Sequence, residues 1–97
     1  MKIIETAIQV MEKEYEAIKK VSSQIGDDFE AAVKAMYACK GKIVVSGLGK
    51  SGHIGKKIAA TLSSTGTPSF FVHAAEALHG DLGMITQDDI VIVISNS

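Results

Sequence analysis

The sequence predicts an α/β fold: a parallel sheet with the strand order 2-1-3, covered by helices on both faces in three layers and preceded by two N-terminal helices. Three short apolar runs alternate with segments of helical periodicity, which is typical of βα units. Each run is apolar at consecutive positions, as strands buried on both faces are. Hydrophobic residues make up 46% of the chain and charged residues 22%, so a disordered segment is excluded.

Length and composition limit the class of protein. The 97 residues suffice for one domain with a modest core. Ten basic residues stand against eleven acidic ones, and the net charge of −1 provides no basic surface for nucleic acid. The sequence shows neither a secretory signal nor an apolar run long enough to span a membrane, and its one cysteine cannot form an internal disulfide. We expect a cytoplasmic protein without nucleic-acid or membrane partners.

The first predicted element is an amphipathic helix that ends at Gly26. Its apolar residues recur at alternating spacings of four and three, which is the pattern of one helix face. This seam consists of Ile4, Ile8, Met11, Tyr15, Ile18, Ser22 and Ile25. Two interpretations are open: the seam packs on its own domain, or it packs on the helix of a partner in a dimer.

A second helix is predicted to begin at Asp27 and to end at Gly41. Asp27 followed by Glu30 fits an N-cap with a capping box. Apolar residues at helical spacing form its apolar stripe, which consists of Phe29, Ala32, Val33, Met36 and Cys39. Cys39 is therefore expected to be a small core residue rather than a reactive thiol. Residues 1–41 form an N-terminal helical segment.

Strands and helices alternate over residues 42–97, which are predicted to supply three βα units. The expected elements are a strand over 43–46, a glycine-rich loop over 47–52, a helix from residue 53 to about 64, a strand over 69–73, a short helix or turn over 74–79, and a strand over 90–95.

The glycine-rich loop resembles two nucleotide-binding motifs but lacks a required part of each. Gly47, Gly49 and Gly52 match the dinucleotide fingerprint, yet no acidic residue ends the second strand, and the first glycine of a P-loop is missing. Both motifs share backbone N–H groups at a helix start that bind phosphate. We therefore predict a small phosphate group held by Gly49, Lys50, Ser51 and Gly52. The alternative is a tight turn with Ser51 as the N-cap.

A polar triplet, Ser95, Asn96 and Ser97, follows the third strand. With the strand order 2-1-3, the ends of strands 1 and 3 open onto one crevice. The triplet is therefore predicted to donate hydrogen bonds to the same phosphate, although it is equally an ordinary turn composition.

Four segments of residues 42–97 resemble, in order and spacing, the sugar isomerase (SIS) domain family, and in particular its arabinose 5-phosphate isomerases. They are GKSGHIG at 49–55, STGTPSFF at 64–71, HGDLG at 79–83 and SNS at 95–97. The resemblance implies a five-stranded parallel sheet, assembly into dimers or larger oligomers, and phosphosugar binding by the loops after strands 1 and 3.

The resemblance also implies roles for side chains. His79 belongs to the active site and is the candidate general acid or base, because an imidazole exchanges protons near neutral pH. Lys50 lies against the substrate and stabilises charge on oxygen. From its spacing, Glu76, one helical turn before His79, is expected to orient His79 or to join it in the site; the alternative is a solvated helix residue.

The remaining histidines carry weaker expectations. His53 is expected to be structural, and His73 either lines the crevice or packs. The spacing of the three histidines is not that of a metal site. The aldose–ketose isomerisation that the resemblance implies needs neither a metal nor an organic cofactor.

Three functions are compared. The first is aldose–ketose isomerisation of arabinose 5-phosphate and ribulose 5-phosphate through an enediol. The second is a sensor or regulatory domain that binds a phosphosugar without catalysis. The third, a nucleotide-binding module, is disfavoured because no acid follows the second strand.

The chain is expected to be a single, incomplete SIS domain over residues 1–97. Three strands are predicted where the family has five, and the apolar third strand is left at an edge. We therefore expect the isolated chain to be inactive as an isomerase and to associate through the third strand, within a protein that is a homo-oligomer, either a dimer or a tetramer.

Overall fold

The structure, a computed structural model, describes residues 2–77 and 81–96. Its elements are α1 (Ile3–Ser22), α2 (Asp27–Tyr37), β1 (Ile43–Gly47), α3 (Gly49–Ser64), β2 (Ser69–His73), α4 (Ala74–Ala77), a 3₁₀ turn (Asp81–Met84) and β3 (Ile90–Ile94). The chain divides into two compact units, Met1–Val33 and Lys34–Ser97. No helix in the described part of the chain is long and apolar enough to cross a membrane.

The first unit contains α1, whose apolar seam follows the predicted spacing. Ile4, Ile8, Met11, Tyr15 and Ile18 are 50–74% exposed. A seam of this length along a helix represents a large apolar surface in contact with solvent. Whether the seam packs on its own domain or on the helix of a partner stays a prediction.

The connection between α1 and α2 differs from the sequence expectation. α1 ends at Ser22, where the Ser22 and Ser23 hydroxyls donate to helix carbonyls one turn earlier, at 2.7 and 2.6 Å. Gly26 therefore does not end the first helix. Its carbonyl accepts the Glu30 N–H at 3.2 Å, so Gly26 precedes α2 and Asp27 is the first helical residue rather than the N-cap.

The second unit is built on a parallel sheet with the order β2-β1-β3, which confirms the predicted α/β class and strand order. β1 is central, and Ile43, Val44 and Val45 are fully buried because neighbours pair on both sides. α3 packs on one face of the sheet, where Ala59 and Leu62 meet Ile43, Val45 and the half-buried Phe71.

β3 forms an edge of this sheet. Ile90, Ile92 and Ile94 pack toward the core, whereas Val91 and Val93 on the other face are 45% and 69% exposed. Among the described residues β3 pairs with β1 alone. The expectation of an apolar edge strand is thus confirmed; association through it stays a prediction.

The amino ends of β1 and β3 are joined by one carboxylate. Asp89 accepts the backbone N–H groups of Lys42 and Thr86, both at 2.7 Å, and its carboxylate lies 3.6 Å from the Lys42 ammonium. A Cβ at Gly41 would collide with this carboxylate, so only glycine fits there. Cys39 is half-buried against the core and donates its S–H to the Asp88 carbonyl at 3.2 Å, in keeping with its predicted structural role.

Candidate functional site

The junction between β1 and α3 is shorter than the sequence predicts. β1 ends at Gly47 and α3 begins at Gly49, so Leu48 is the only residue between them. The expected loop over 47–52 is therefore mostly the first turn of the helix, which starts at Gly49 rather than at His53. Gly49 has φ +56°, a left-handed conformation that glycine adopts without strain, and this is why so short a connection is possible.

Two glycines bring the ends of β1, α3 and β3 together. A Cβ at Gly47 would lie 3.0 Å from the Ile94 carbonyl oxygen and 3.1 Å from the Ser51 backbone, and one at Gly52 would lie 3.3 Å from the Gly47 oxygen. Larger residues would push these elements apart. The fingerprint-like spacing therefore serves close packing at this corner of the fold.

A crevice of about 270 Å³ opens at this corner. It is lined by Gly47, Leu48, Ser51, Ala74, Val93, Ile94, Ser95 and Asn96. Ser51 from the first turn of α3 thus faces the same space as Ser95 and Asn96, which follow β3. The register explains this, because Gly47 pairs with Ile94, so β1 and β3 end at the same level of the sheet.

The electrostatics of the crevice suit an anion. The backbone N–H groups of Gly49, Lys50 and Ser51 begin α3 and have no carbonyl four residues behind them within the helix. The helix dipole places partial positive charge at this end, and the first turn of α3 contains no acidic residue. The half-buried Ser51 hydroxyl makes no hydrogen bond within the described residues, so it is available as a donor.

Some predicted site residues lie outside the crevice lining. Lys50 and Glu76 are exposed, and Gly49 and Gly52 shape the backbone of the first turn rather than the wall. His79 and Ser97, the candidate acid or base and the last residue of the polar triplet, lie outside the described residues.

The other two histidines have positions of their own. The His73 imidazole accepts the Ala75 N–H at 3.2 Å through Nδ1, and it makes a T-shaped contact with the Phe71 ring, with 6.5 Å between the ring centroids. It therefore packs at the start of α4 and is not among the residues that line the crevice. His53 lies instead on a groove of about 420 Å³ along α3, whose other walls are mainly aliphatic, including Ile54 and Ile58.

The crevice walls include residues that sequence reasoning missed. Leu48, Ala74 and Val93 are apolar, whereas the sequence patterns of a phosphate site point to polar donors. Leu48 carried no usable signal, because the predicted helix begins at His53 and only the structure shows that Leu48 directly precedes α3. Within the described part of the chain, no three His, Cys, Asp or Glu side chains lie close enough together to hold a metal ion.

Taken together, the described residues form a parallel α/β domain with an anion-compatible crevice at the carboxyl edge of its sheet. The family model of the SIS domain matches residues 36–97. This chain belongs to the SIS domain family.

Known relatives share this sequence over most of its length. The arabinose 5-phosphate isomerase KdsD of Pseudomonas aeruginosa is 58% identical over 94 residues, which are 97% of this chain and 29% of that protein. The arabinose 5-phosphate isomerase GutQ of Shigella flexneri is 56% identical over 95 residues, 98% of this chain and 30% of that protein. The chain thus spans less than a third of the length of these curated relatives.

A solved structure shares the fold closely. The structure of the E. coli CFT073 protein c3406 in complex with arabinose 5-phosphate superimposes with a TM-score of 0.92 at 49% identity, covering 99% of this chain and 51% of that one.

Proposed function

We propose that the crevice binds the phosphate group of a phosphosugar. The observation that carries the proposal is the meeting of Ser51, Ser95 and Asn96 at the uncapped start of α3. Hydroxyl, amide and backbone N–H donors at a helix start together recognise an anion without arginine. The similarity to the sugar-phosphate complex of the E. coli protein supports the choice of arabinose 5-phosphate as the sugar.

The proposed reaction is the interconversion of arabinose 5-phosphate and ribulose 5-phosphate. A base removes the proton from the carbon beside the aldehyde, the carbonyl oxygen gains a proton, and an enediol forms. Return of a proton to the aldehyde carbon, with loss of one from the neighbouring hydroxyl, gives the ketose. We assign His79 as the acid or base, Lys50 to stabilise charge on oxygen and Glu76 to orient His79. Ser97 joins the phosphate donors, and the reaction consumes no cofactor or metal.

A sensor that binds the phosphosugar without converting it is the second candidate. The described lining of the crevice favours it, because none of those side chains exchanges a proton near neutral pH.

The test combines binding with turnover in the purified protein. We expect arabinose 5-phosphate to bind by calorimetry, and Ser51→Ala to weaken binding about tenfold because a charge-assisted hydrogen bond is lost. Ser64→Ala is the matched control: this serine lies at the other end of α3, and its hydroxyl bonds only to carbonyls of its own helix.

His79→Ala separates the two candidates. For an isomerase, it should lower turnover roughly 10²- to 10⁴-fold while the affinity for the ligand is retained. Turnover unchanged by this substitution would remove His79 from the mechanism. Binding without any conversion would select the sensor, and absence of binding to any phosphosugar would contradict both.

We propose further that the protein is a cytoplasmic homo-oligomer. The exposed apolar seam of α1 supports an oligomer, since helices of soluble proteins cover such seams.

A further inference from the structure

Leu48 occupies a position at which helices prefer a different type of residue. It is the N-cap of α3, with φ −121° and ψ 153°, and its side chain makes no capping hydrogen bond. Serine, threonine, aspartate and asparagine are favoured there, and leucine is among the least favourable. The side chain is 56% exposed, so burial in the core does not compensate. A residue that breaks a local rule without structural gain points to function.

The missing cap has a consequence for the crevice. An N-cap side chain accepts the N–H of the second or third helical residue, which in α3 are Lys50 and Ser51. With leucine at the N-cap, no side chain of that residue competes for these donors. An aspartate would in addition place negative charge where the phosphate is proposed to bind.

The Leu48 side chain also forms part of the crevice wall. Together with Ala74 and Val93 it provides an apolar surface, while Ser51, Ser95 and Asn96 provide the polar one. A sugar 5-phosphate presents the same two surfaces, because a charged phosphate is joined to the sugar by a CH₂ group.

We propose that Leu48 is a positioning and specificity residue for the phosphosugar: it leaves the first N–H groups of α3 available to the phosphate, and its side chain contacts the adjoining CH₂. This inference rests on the proposed function. It predicts that local stability and ligand affinity are opposed at this position, which a purely structural role would not produce.

One substitution tests whether the N–H groups must stay free, and a second tests the contact with the CH₂ group. Leu48→Asn supplies a cap of similar size. It should raise the Tm of the ligand-free protein by a few degrees and weaken the binding of both inorganic phosphate and arabinose 5-phosphate about tenfold. Leu48→Ala shortens the apolar side chain in the crevice lining without adding a cap. The affinity for phosphate should therefore stay within about twofold, and the affinity for arabinose 5-phosphate should fall several-fold.

The matched control is Ile54→Ala, an aliphatic residue of the same helix that is 55% exposed on a different groove; both affinities should be unchanged. Circular dichroism checks folding, and if Leu48→Asn does not fold, Leu48→Ala decides. Wild-type affinity of Leu48→Asn for phosphate, or of Leu48→Ala for arabinose 5-phosphate, would overturn the inference. A wild-type protein that binds neither phosphate nor arabinose 5-phosphate would overturn the proposed function and this inference together. Measuring the wild type before any variant distinguishes that outcome from a failure of this inference alone.

Discussion

Asp89 shows how one side chain fixes a corner of the fold far from the predicted site. Its carboxylate accepts two backbone N–H groups, one before β1 and one in the turn before β3. The pKa of Asp89 lies below its ordinary value. The largest cause is the hydrogen bond from the Lys42 N–H, and the next is the one from the Thr86 N–H; the Lys42 charge lowers the pKa further, whereas desolvation opposes the shift. The ionised form is therefore the one that the folded state prefers.

This preference predicts a pH dependence of stability. Because the folded pKa is below the unfolded one of about 3.9, Asp89 stabilises the fold fully above the unfolded pKa, and the contribution is lost as the pH falls through the folded pKa. Asp89→Asn leaves one N–H donor facing an amide NH₂ group. We expect a lower urea midpoint for Asp89→Asn at pH 7, and midpoints that converge with the wild type as the pH falls below about 4.

Asp88→Asn is the matched control, since the neighbouring Asp88 contributes its backbone carbonyl to the structure. It should leave the midpoint at pH 7 unchanged. Equal destabilisation by both substitutions, or a difference that persists undiminished at low pH, would contradict the assignment to the Asp89 carboxylate.

At the scale of elements, the packing of α3 on the sheet depends on a glycine. A Cβ at Gly55 would lie 2.9 Å from the Phe71 ring and 3.2 Å from a methyl group of Val45. We expect Gly55→Val to lower the free energy of unfolding by about 1–3 kcal/mol, because the helix must move off the sheet. The control Ala60→Val, at an exposed position of α3, should cost only about 0.6 kcal/mol of helix propensity. Chemical denaturation measures both, and equal losses would show that Gly55 is not a close contact.

The elements also show what sequence can and cannot predict here. β1 and β3 are runs of β-branched residues whose pattern determines their type, and parallel pairing follows from the alternation of strands and helices. The order 2-1-3 is that of the doubly wound class to which the sequence was assigned. The sequence pattern places the start of α3 at His53 instead of Gly49, because glycines usually indicate a loop. Only the backbone shows that Gly49 absorbs the turn.

Long-range contacts account for the rest of what the sequence missed. Asp89 and Lys42 are 47 positions apart, and no local pattern pairs them. The crevice was predicted through its polar residues, Ser51, Ser95 and Asn96, whereas its apolar wall was not. An apolar side chain is informative only once its exposure and neighbours are known.

At the scale of the molecule, the two edges of the sheet are organised differently. At the amino edge, backbone and side-chain hydrogen bonds of Asp88 and Asp89 join β3 to the start of β1. At the carboxyl edge, glycines bring the same strands and α3 close, but donors are left without protein acceptors among the described residues. In parallel α/β sheets this division is common: one edge stabilises the fold and the other binds ligand.

The last prediction concerns assembly through the α1 seam. Ile4 to Ile18 extends about 21 Å along the helix, at about 1.5 Å per residue, and its apolar side chains are at least half exposed. If this seam joins protomers, Ile8→Glu places a charge in an apolar interface, and sedimentation should show a smaller species than the wild type. Gln9→Glu adds the same charge at the next residue, outside the seam, and should leave the mass unchanged.

Phosphate binding by Ile8→Glu then shows whether the crevice needs the oligomer. All the described residues of the crevice belong to one chain and to the unit Lys34–Ser97, so phosphate affinity should survive dissociation, provided that circular dichroism shows α1 still folded. A wild-type monomer, or an Ile8→Glu variant of unchanged mass, would contradict assembly through the seam. Loss of phosphate binding on dissociation would instead show that a second protomer completes the crevice.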